Sequence, residues 1–352
     1  VSVRVSVGVG IGALGVYAAI FGIGAAHADD SAGTTQAHHA SAKPSGGVGH
    51  SKRQPRTKPP VDTSPYSGNP PNHALEVALF RIWTITTAIP GLNSATPPPF
   101  ATKGLTVTKT ESDGMPVYVL EPKNSTSDQE IIALHGGAYI GEIGNINWIT
   151  YSDIARDTGA TVIVPVYPLA PKETAATVVP KVANLISETI VARGADNVSI
   201  LGESAGGGLA LAAVQQLVLA GSAVPARMVL ASPWLDATVS DPASLTTHDE
   251  LLSVGSLRSA GLQWAGNLDP SNPLVSPING SLEGLPTTYV WSSSSDRLSP
   301  QTLRLRDDAT ALGLTNFTFI LRYGEIHGWM AYPFIPTAAA DRAIIADQLT
   351  GR

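Results

Sequence analysis

The sequence predicts an α/β protein with a mostly parallel central sheet of about eight strands and helices on both faces. Three observations carry this. Short strand-like apolar runs recur from Leu105 to Leu321, and helical patterns fall between most of them. Hydrophobic residues make up 43% of the chain and charged residues 14%, which suits a globular protein with a sizeable core. Polar or glycine-rich loops follow several of the strands, at the edge where open α/β sheets hold their ligand sites.

Taken in order, residues 1–28 read as a targeting segment. Arg4 supplies positive charge, Val5 to Ala26 contain no charged residue, and Ala26-His27-Ala28 offers small residues at the cleavage positions before Asp29 and Asp30. The stretch approaches the ~20 residues that span a bilayer, so an uncleaved anchor is the alternative. Residues 29–72 are rich in Ser, Thr, Gly, Pro and His and bury too little to offset their ordering entropy, which predicts a disordered linker. Lys43, Lys52, Arg53, Arg56 and Lys58 form a basic cluster within it, either a contact for anionic envelope polymers and lipid headgroups or a solvated tether. The expected location is secreted or cell envelope.

The folded domain is expected over residues 73–352. It opens with an apolar helical pattern, His73–Ile89, in which Leu75, Leu79, Ile82, Trp83, Ile85 and Ile89 occupy too much of the circumference for a surface helix. Strand-like runs at Leu105–Lys109 and Val117–Glu121 predict a hairpin. Further strands are expected at Ile131–His135, Thr161–Tyr167, Val198–Leu201, Met228–Ser232, Tyr289–Ser292 and Phe317–Leu321. Helices are expected at Thr177–Val191, Ala205–Leu219 with Gly221 as its stop, Pro300–Leu312 and Ala338–Leu349. Residues 236–277 interrupt this alternation and contain Leu251, Leu252, Leu257, Leu262 and Trp264.

The chemistry concentrates at strand ends. Gly202-Glu203-Ser204-Ala205-Gly206 joins a strand to a helix, placing Ser204 on a sharp turn with a helix N-terminus beside it. Gly-x-Ser-x-Gly arises by chance about 0.3 times in such a composition, so the motif needs partners; alone, it also suits a Ser/Gly turn that caps a helix. His135-Gly136-Gly137-Ala138 ends another apolar run, and its successive amides suit either an oxyanion hole or a tight turn. Asp296 follows the strand at Tyr289, and His327 follows the strand at Phe317. Asp236 also follows an apolar strand, and His248, in a polar connection, is the one rival histidine. Glu203, at a helix start, is expected to make a local polar contact.

Together His135-Gly136-Gly137, Tyr167-Pro168-Leu169-Ala170-Pro171, Gly202-Glu203-Ser204-Ala205-Gly206-Gly207, Ser232-Pro233-Trp234, Asp296 and His327-Gly328 resemble the hormone-sensitive-lipase-like esterases and lipases of the α/β-hydrolase superfamily. The resemblance covers roughly residues 100–345. The leader and linker resemble those of mycobacterial or related actinobacterial envelope lipases. The resemblance implies the α/β-hydrolase fold, with segments 73–103 and 236–277 forming a helical cap over an acyl pocket, although ordinary core packing would use the same residues. It implies Ser204 as nucleophile, His327 as base and Asp296 as the acid that orients it, with the amides of Gly136, Gly137 and Ala205 as oxyanion donors. The implied substrate is a small-molecule ester or lipid, cleaved by a lipase. The alternatives are a short-chain carboxylesterase and a non-catalytic hydrolase-fold binding protein of the envelope. Ala138 stands where a third glycine is usual and Pro168 where the family usually has Arg.

The composition excludes other classes. With 22 basic against 28 acidic residues, the chain is mildly acidic, which argues against a nucleic-acid partner. It has no cysteine, so disulfides, thiolate catalysis and cysteine metal sites are excluded. No His-x-x-x-His pair, P-loop or dinucleotide-binding glycine pattern occurs in the catalytic region, so no metal or nucleotide cofactor is expected.

Overall fold

The computed structural model describes residues 65–68, Ala74, Val77, Ala78, 95–333 and 335–352. The targeting segment 1–28, nearly all of the linker 29–72 and nearly all of the helix expected at His73–Ile89 lie outside the described residues.

The described residues form one eight-stranded sheet: β1 Leu105–Ser112, β2 Met115–Pro122, β3 Glu130–Leu134, β4 Thr161–Pro165, β5 Val198–Glu203, β6 Arg227–Ala231, β7 Thr287–Ser293 and β8 Phe317–Arg322. Their spatial order is β1-β2-β4-β3-β5-β6-β7-β8. β1 and β2 pair antiparallel through the two-residue turn Asp113-Gly114, whose φ values of 48° and 75° suit a tight hairpin. β2 pairs antiparallel with β4, and every later pairing is parallel. The parallel centre explains the continuous apolar runs: all five residues of β3 are buried, because helices cover both faces.

Seven α-helices are described: α1 Asn145–Thr158, α2 Ala175–Arg193, α3 Ala205–Leu219, α4 Pro242–Thr246, α5 Val254–Ala265, α6 Ser299–Ala311 and α7 Pro336–Thr350. α1 is a long helix that periodicity did not announce. Its buried stripe of Trp148, Tyr151, Ile154 and Ala155 is interleaved with polar Thr150, Ser152 and Asp153, which blurs the pattern. Its end is well marked: Gly159 adopts φ 73° and donates its amide to Ala155 O.

Register decides where chemistry can gather. Leu134 of β3 lies beside Gly202 of β5, and Glu203 lies beside Ala231 of β6. The turns after β3, β5 and β6 therefore leave the same edge of the sheet, and those after β7 and β8 join them.

Two segments depart from the simple alternation. Residues 236–277, between β6 and β7, carry α4 and α5. Leu251, Leu252, Leu257 and Trp264 turn inward, while Leu262 stays 63% exposed. At the other edge, Tyr66 and Ser67 belong by composition to the linker, yet they are tied to the sheet. The Ser67 amide donates to Leu321 O and its carbonyl accepts from the Tyr323 amide, each at 2.9 Å. The open edge of β8 supplies backbone partners to a passing segment whatever its composition.

Candidate active site

Ser204 sits between β5 and α3 with φ 54° and ψ −120°, a conformation that is costly for a residue with a side chain. The surroundings impose it. The Ser204 amide donates to Ala231 O at 2.9 Å, and its carbonyl accepts from the Trp234 amide at 2.8 Å. Gly206 completes the turn because any Cβ there would collide with the Leu134 carbonyl.

Three side chains that the sequence predicted meet in a line. Ser204 Oγ lies 2.9 Å from His327 Nε2, and His327 Nδ1 lies 2.9 Å from Asp296 Oδ2. Asp296 is fully buried and its other oxygen accepts from the Leu298 amide at 2.8 Å. A carboxylate only accepts, so Nδ1–H donates to Asp296 and the neutral ring leaves Nε2 free to accept from the serine hydroxyl. Burial pulls the His327 pKa down. The Asp296 charge and hydrogen bond, with the charges of Glu203 and Asp249, outweigh this and raise it to about 9.

The rival residues lie elsewhere. Asp236 Oδ1 accepts from Thr238 N and Oγ1, and its Oδ2 accepts from Ser240 N and Oγ. Against burial, which raises its pKa, these bonds hold the carboxyl below its usual range. Its task is to close a turn. His248 is solvent-exposed and faces Glu250 at 3.7 Å. His135 is buried, donates from Nδ1 to Gly136 O at 2.6 Å, and stacks on Tyr167 with centroids 4.2 Å apart. Burial lowers its pKa to about 4, so it remains neutral.

The oxyanion assignment needs one correction. The Gly136 amide, expected as a donor, is already committed to Glu203 Oε2 at 3.1 Å. The following residues turn away from it, with φ 111° at Gly137, 54° at Ala138 and 63° at Tyr139. The amides of Gly137, Ala138 and Ala205 have no acceptor among the described residues. Among the described residues, the unpartnered amides of this turn are therefore those of Gly137 and Ala138, not that of Gly136. Tyr139 holds the turn down by stacking on Trp264 of α5 (4.0 Å, 6°) and, less closely, on Trp234 (5.3 Å).

One further residue was not legible in the sequence. Asp249 Oδ1 accepts from the amides of Leu251 and Leu252, and its Oδ2 accepts from the Arg297 amide at 2.8 Å. Arg297 answers with Nε to Leu252 O and Nη1 to Ser244 O. The insertion 236–277 is thereby tied to the loop that carries Asp296. Burial, then the Asp296 charge, raises the Asp249 pKa. Among the described residues no group of three His, Cys, Asp or Glu could hold a metal ion.

An eight-stranded sheet of this order, with a serine raised between the fifth strand and the helix after it, defines the α/β-hydrolase class. The chain belongs to the α/β hydrolase fold family, whose model matches residues 131–331. It is 45% identical over 237 residues to a triacylglycerol lipase of Mycobacterium tuberculosis (strain ATCC 25618 / H37Rv), an alignment spanning 66% of this chain and 50% of that protein. It is 37% identical over 143 residues to an acetyl-hydrolase of Streptomyces hygroscopicus, spanning 40% of this chain and 47% of that protein. The chain thus spans about half the length of either relative. Among solved structures, a hormone-sensitive lipase from a metagenome library superposes with a TM-score of 0.70 at 23% identity, covering 81% of this chain and 100% of that one. An esterase/lipase from an uncultured bacterium gives 0.67 at 22% identity, covering 78% and 98%. At such identities these two speak for the fold.

Proposed function

We propose that this chain is a serine hydrolase of carboxylic esters, with acylglycerols as the substrate class. The observation that carries the reading is the unbroken line from Ser204 Oγ through His327 to buried Asp296, beside a turn with uncommitted amides. Ser204 Oγ attacks the ester carbonyl while its proton passes to His327 Nε2, and the carbonyl π electrons move onto oxygen. The amides of Gly137, Ala138 and Ala205 receive that oxyanion, one such donor contributing about 3 kcal/mol to the transition state. Asp296 stabilises the imidazolium and keeps Nδ1 protonated. The carbonyl then re-forms, the C–O bond to the alcohol breaks, and His327 protonates the departing oxygen. Water repeats the sequence to release the acid and Ser204.

The 45% identity to a triacylglycerol lipase supports acylglycerols, and the apolar residues of the insertion 236–277 suit an acyl-chain wall. The 37% identity to an acetyl-hydrolase favours a short-acyl esterase as the second reading. We also place the chain outside the cytoplasm, at the envelope or beyond it, on the charge-free stretch Val5 to Ala26 followed by Ala26-His27-Ala28. Ser204→Ala tests the chemistry: with circular dichroism unchanged, hydrolysis of chromogenic esters should fall to background and labelling by a fluorophosphonate should vanish. Substantial turnover in that folded variant removes Ser204 from the role. Acyl esters of graded length then separate the lipase from the short-chain reading.

A further inference from the structure

Glu203 closes β5 immediately before Ser204, and its carboxylate lies in a slot that the fold keeps open for it. A Cβ on Gly136 would collide with one carboxylate oxygen, and a Cβ on Gly328 would stand 2.9 Å from the other. Gly136 and Gly328 come from different turns, those after β3 and β8, so two separate loops leave room for one side chain. Oε2 accepts the Gly136 amide at 3.1 Å, at the start of the turn whose next amides remain uncommitted. Oε1 lies 3.9 Å from His327 Nε2, the nitrogen that faces Ser204 Oγ. The Glu203 side chain is 22% exposed.

We propose that Glu203 is a positioning residue of the hydrolytic reaction, fixing the oxyanion turn through the Gly136 amide and opposing the charge that forms on His327. The inference rests on the reading of Ser204 and His327 as nucleophile and base. When Oγ bonds to the ester carbon and its proton moves to Nε2, the imidazolium is held between Asp296 at Nδ1 and Glu203 at Nε2. The groups that bear on this balance are His327, Asp296, Asp249 and Tyr151 of α1, and Arg342 of α7, which lines the same pocket as Glu203 and donates to Met330 O. No lysine or arginine pairs with Glu203 among the described residues. Burial raises the Glu203 pKa, and the His327 charge and the Gly136 amide oppose that rise without cancelling it.

The two contacts can be separated by substitution in the full chain. Glu203→Gln keeps an oxygen for the Gly136 amide and removes the charge; Glu203→Ala removes both. Ring titration of His327, followed by NMR on 15N-histidine-labelled protein, should move down by about one unit in Glu203→Gln, since an opposite charge within ~4–6 Å is lost. The acid limb of kcat/KM for a short chromogenic ester should follow it. Plateau kcat should drop roughly tenfold while KM stays within about twofold. Glu203→Ala should lower plateau kcat further, roughly a hundredfold, because the turn also loses its anchor. A His327 titration unmoved in Glu203→Gln overturns the electrostatic role, and equal plateaus in the two variants overturn the turn-fixing role. The titration is read without turnover. Failure of the wild-type chain to cleave esters or to be labelled at Ser204 would therefore refute the hydrolase reading alone.

Discussion

Asp296 and Asp236 both follow apolar strands, and their asparagine variants should fail in opposite ways. In Asp296→Asn the Leu298 amide, now 2.8 Å from Oδ1, decides which way the new side chain turns. Its carbonyl must stay on that N–H, so its NH2 is directed at His327 Nδ1, where Oδ2 now sits at 2.9 Å. An NH2 can only donate, so Nδ1 becomes the acceptor and the ring proton moves to Nε2. An Nε2–H facing Ser204 Oγ cannot take the serine proton. A triad locked in the wrong tautomer loses about 10,000-fold in kcat, or roughly 5.5 kcal/mol of barrier. The shape is unchanged, so the melting transition should stay close to that of the wild type. In Asp236→Asn, Oδ1 and Oδ2 each serve one backbone amide and one hydroxyl, and one of the two must become an NH2. The hydroxyl can rotate to accept, but the backbone N–H loses its partner, at about 2 kcal/mol. At ~2–4 °C per kcal/mol for a domain of this size, the melting temperature should fall by about 4–8 °C. Its kcat should stay within about threefold of wild type, because Asp236 touches none of the reacting groups. Turnover of a short chromogenic ester at the pH plateau and a thermal scan by circular dichroism measure both. A larger kcat loss in Asp236→Asn than in Asp296→Asn would refute the assignment.

The pH dependence follows from the charges around His327. The ring must be neutral to take the Ser204 proton, and its pKa is raised to about 9, so kcat/KM should rise with pH along a limb above the ordinary histidine value of ~6.5. A limb at or below that value would contradict the carboxylate environment. Trp264→Ala should cost about 3–5 kcal/mol and lower kcat as well, because Tyr139 loses the ring that holds the proposed oxyanion turn. Trp264→Phe should cost much less, since the indole Nε1 has no hydrogen-bond partner to lose among the described residues. Equal melting shifts in the two variants would dismiss the stacking argument.

What the sequence made legible was local. The strands announced themselves because a parallel sheet covered on both faces demands near-continuous apolar runs, as at Ile131–Leu134 and, interrupted only by buried Ser199, at Val198–Leu201. Ser204, Asp296 and His327 stood out because each follows a strand-like run, and the sheet brings the ends of β5, β7 and β8 to one edge. The hairpin was legible as two neighbouring strand-like runs, and Asp113-Gly114 accounts for its tight turn. α1 was not found, because its inward face mixes tryptophan and tyrosine with buried serine and threonine. Tyr66 and Ser67 were missed because what orders them is a strand edge some 250 residues away, not their own composition.

The Gly136-Gly137 turn shows where local reading fails for a definite reason. In the sequence, Gly136 and Gly137 look alike: two residues that leave a backbone amide unshielded. In the structure their roles diverge, because Glu203 arrives from β5 and takes one of the two amides. Gly136 is small because a carboxylate occupies the space of its missing side chain, whereas Gly137 is small because its backbone must reach φ 111°. Asp249 follows the same logic, since its partner amide on Arg297 lies 48 residues further along the chain. Side chains that act on the backbone of a distant segment leave no periodic trace. Both such carboxylates here bear on His327, one from beside the nucleophile and one from the insertion. Against burial, the pKa of the base is therefore raised by three carboxylates from three separate parts of the chain, and Glu203→Gln removes one of those charges while leaving the line of hydrogen bonds in place.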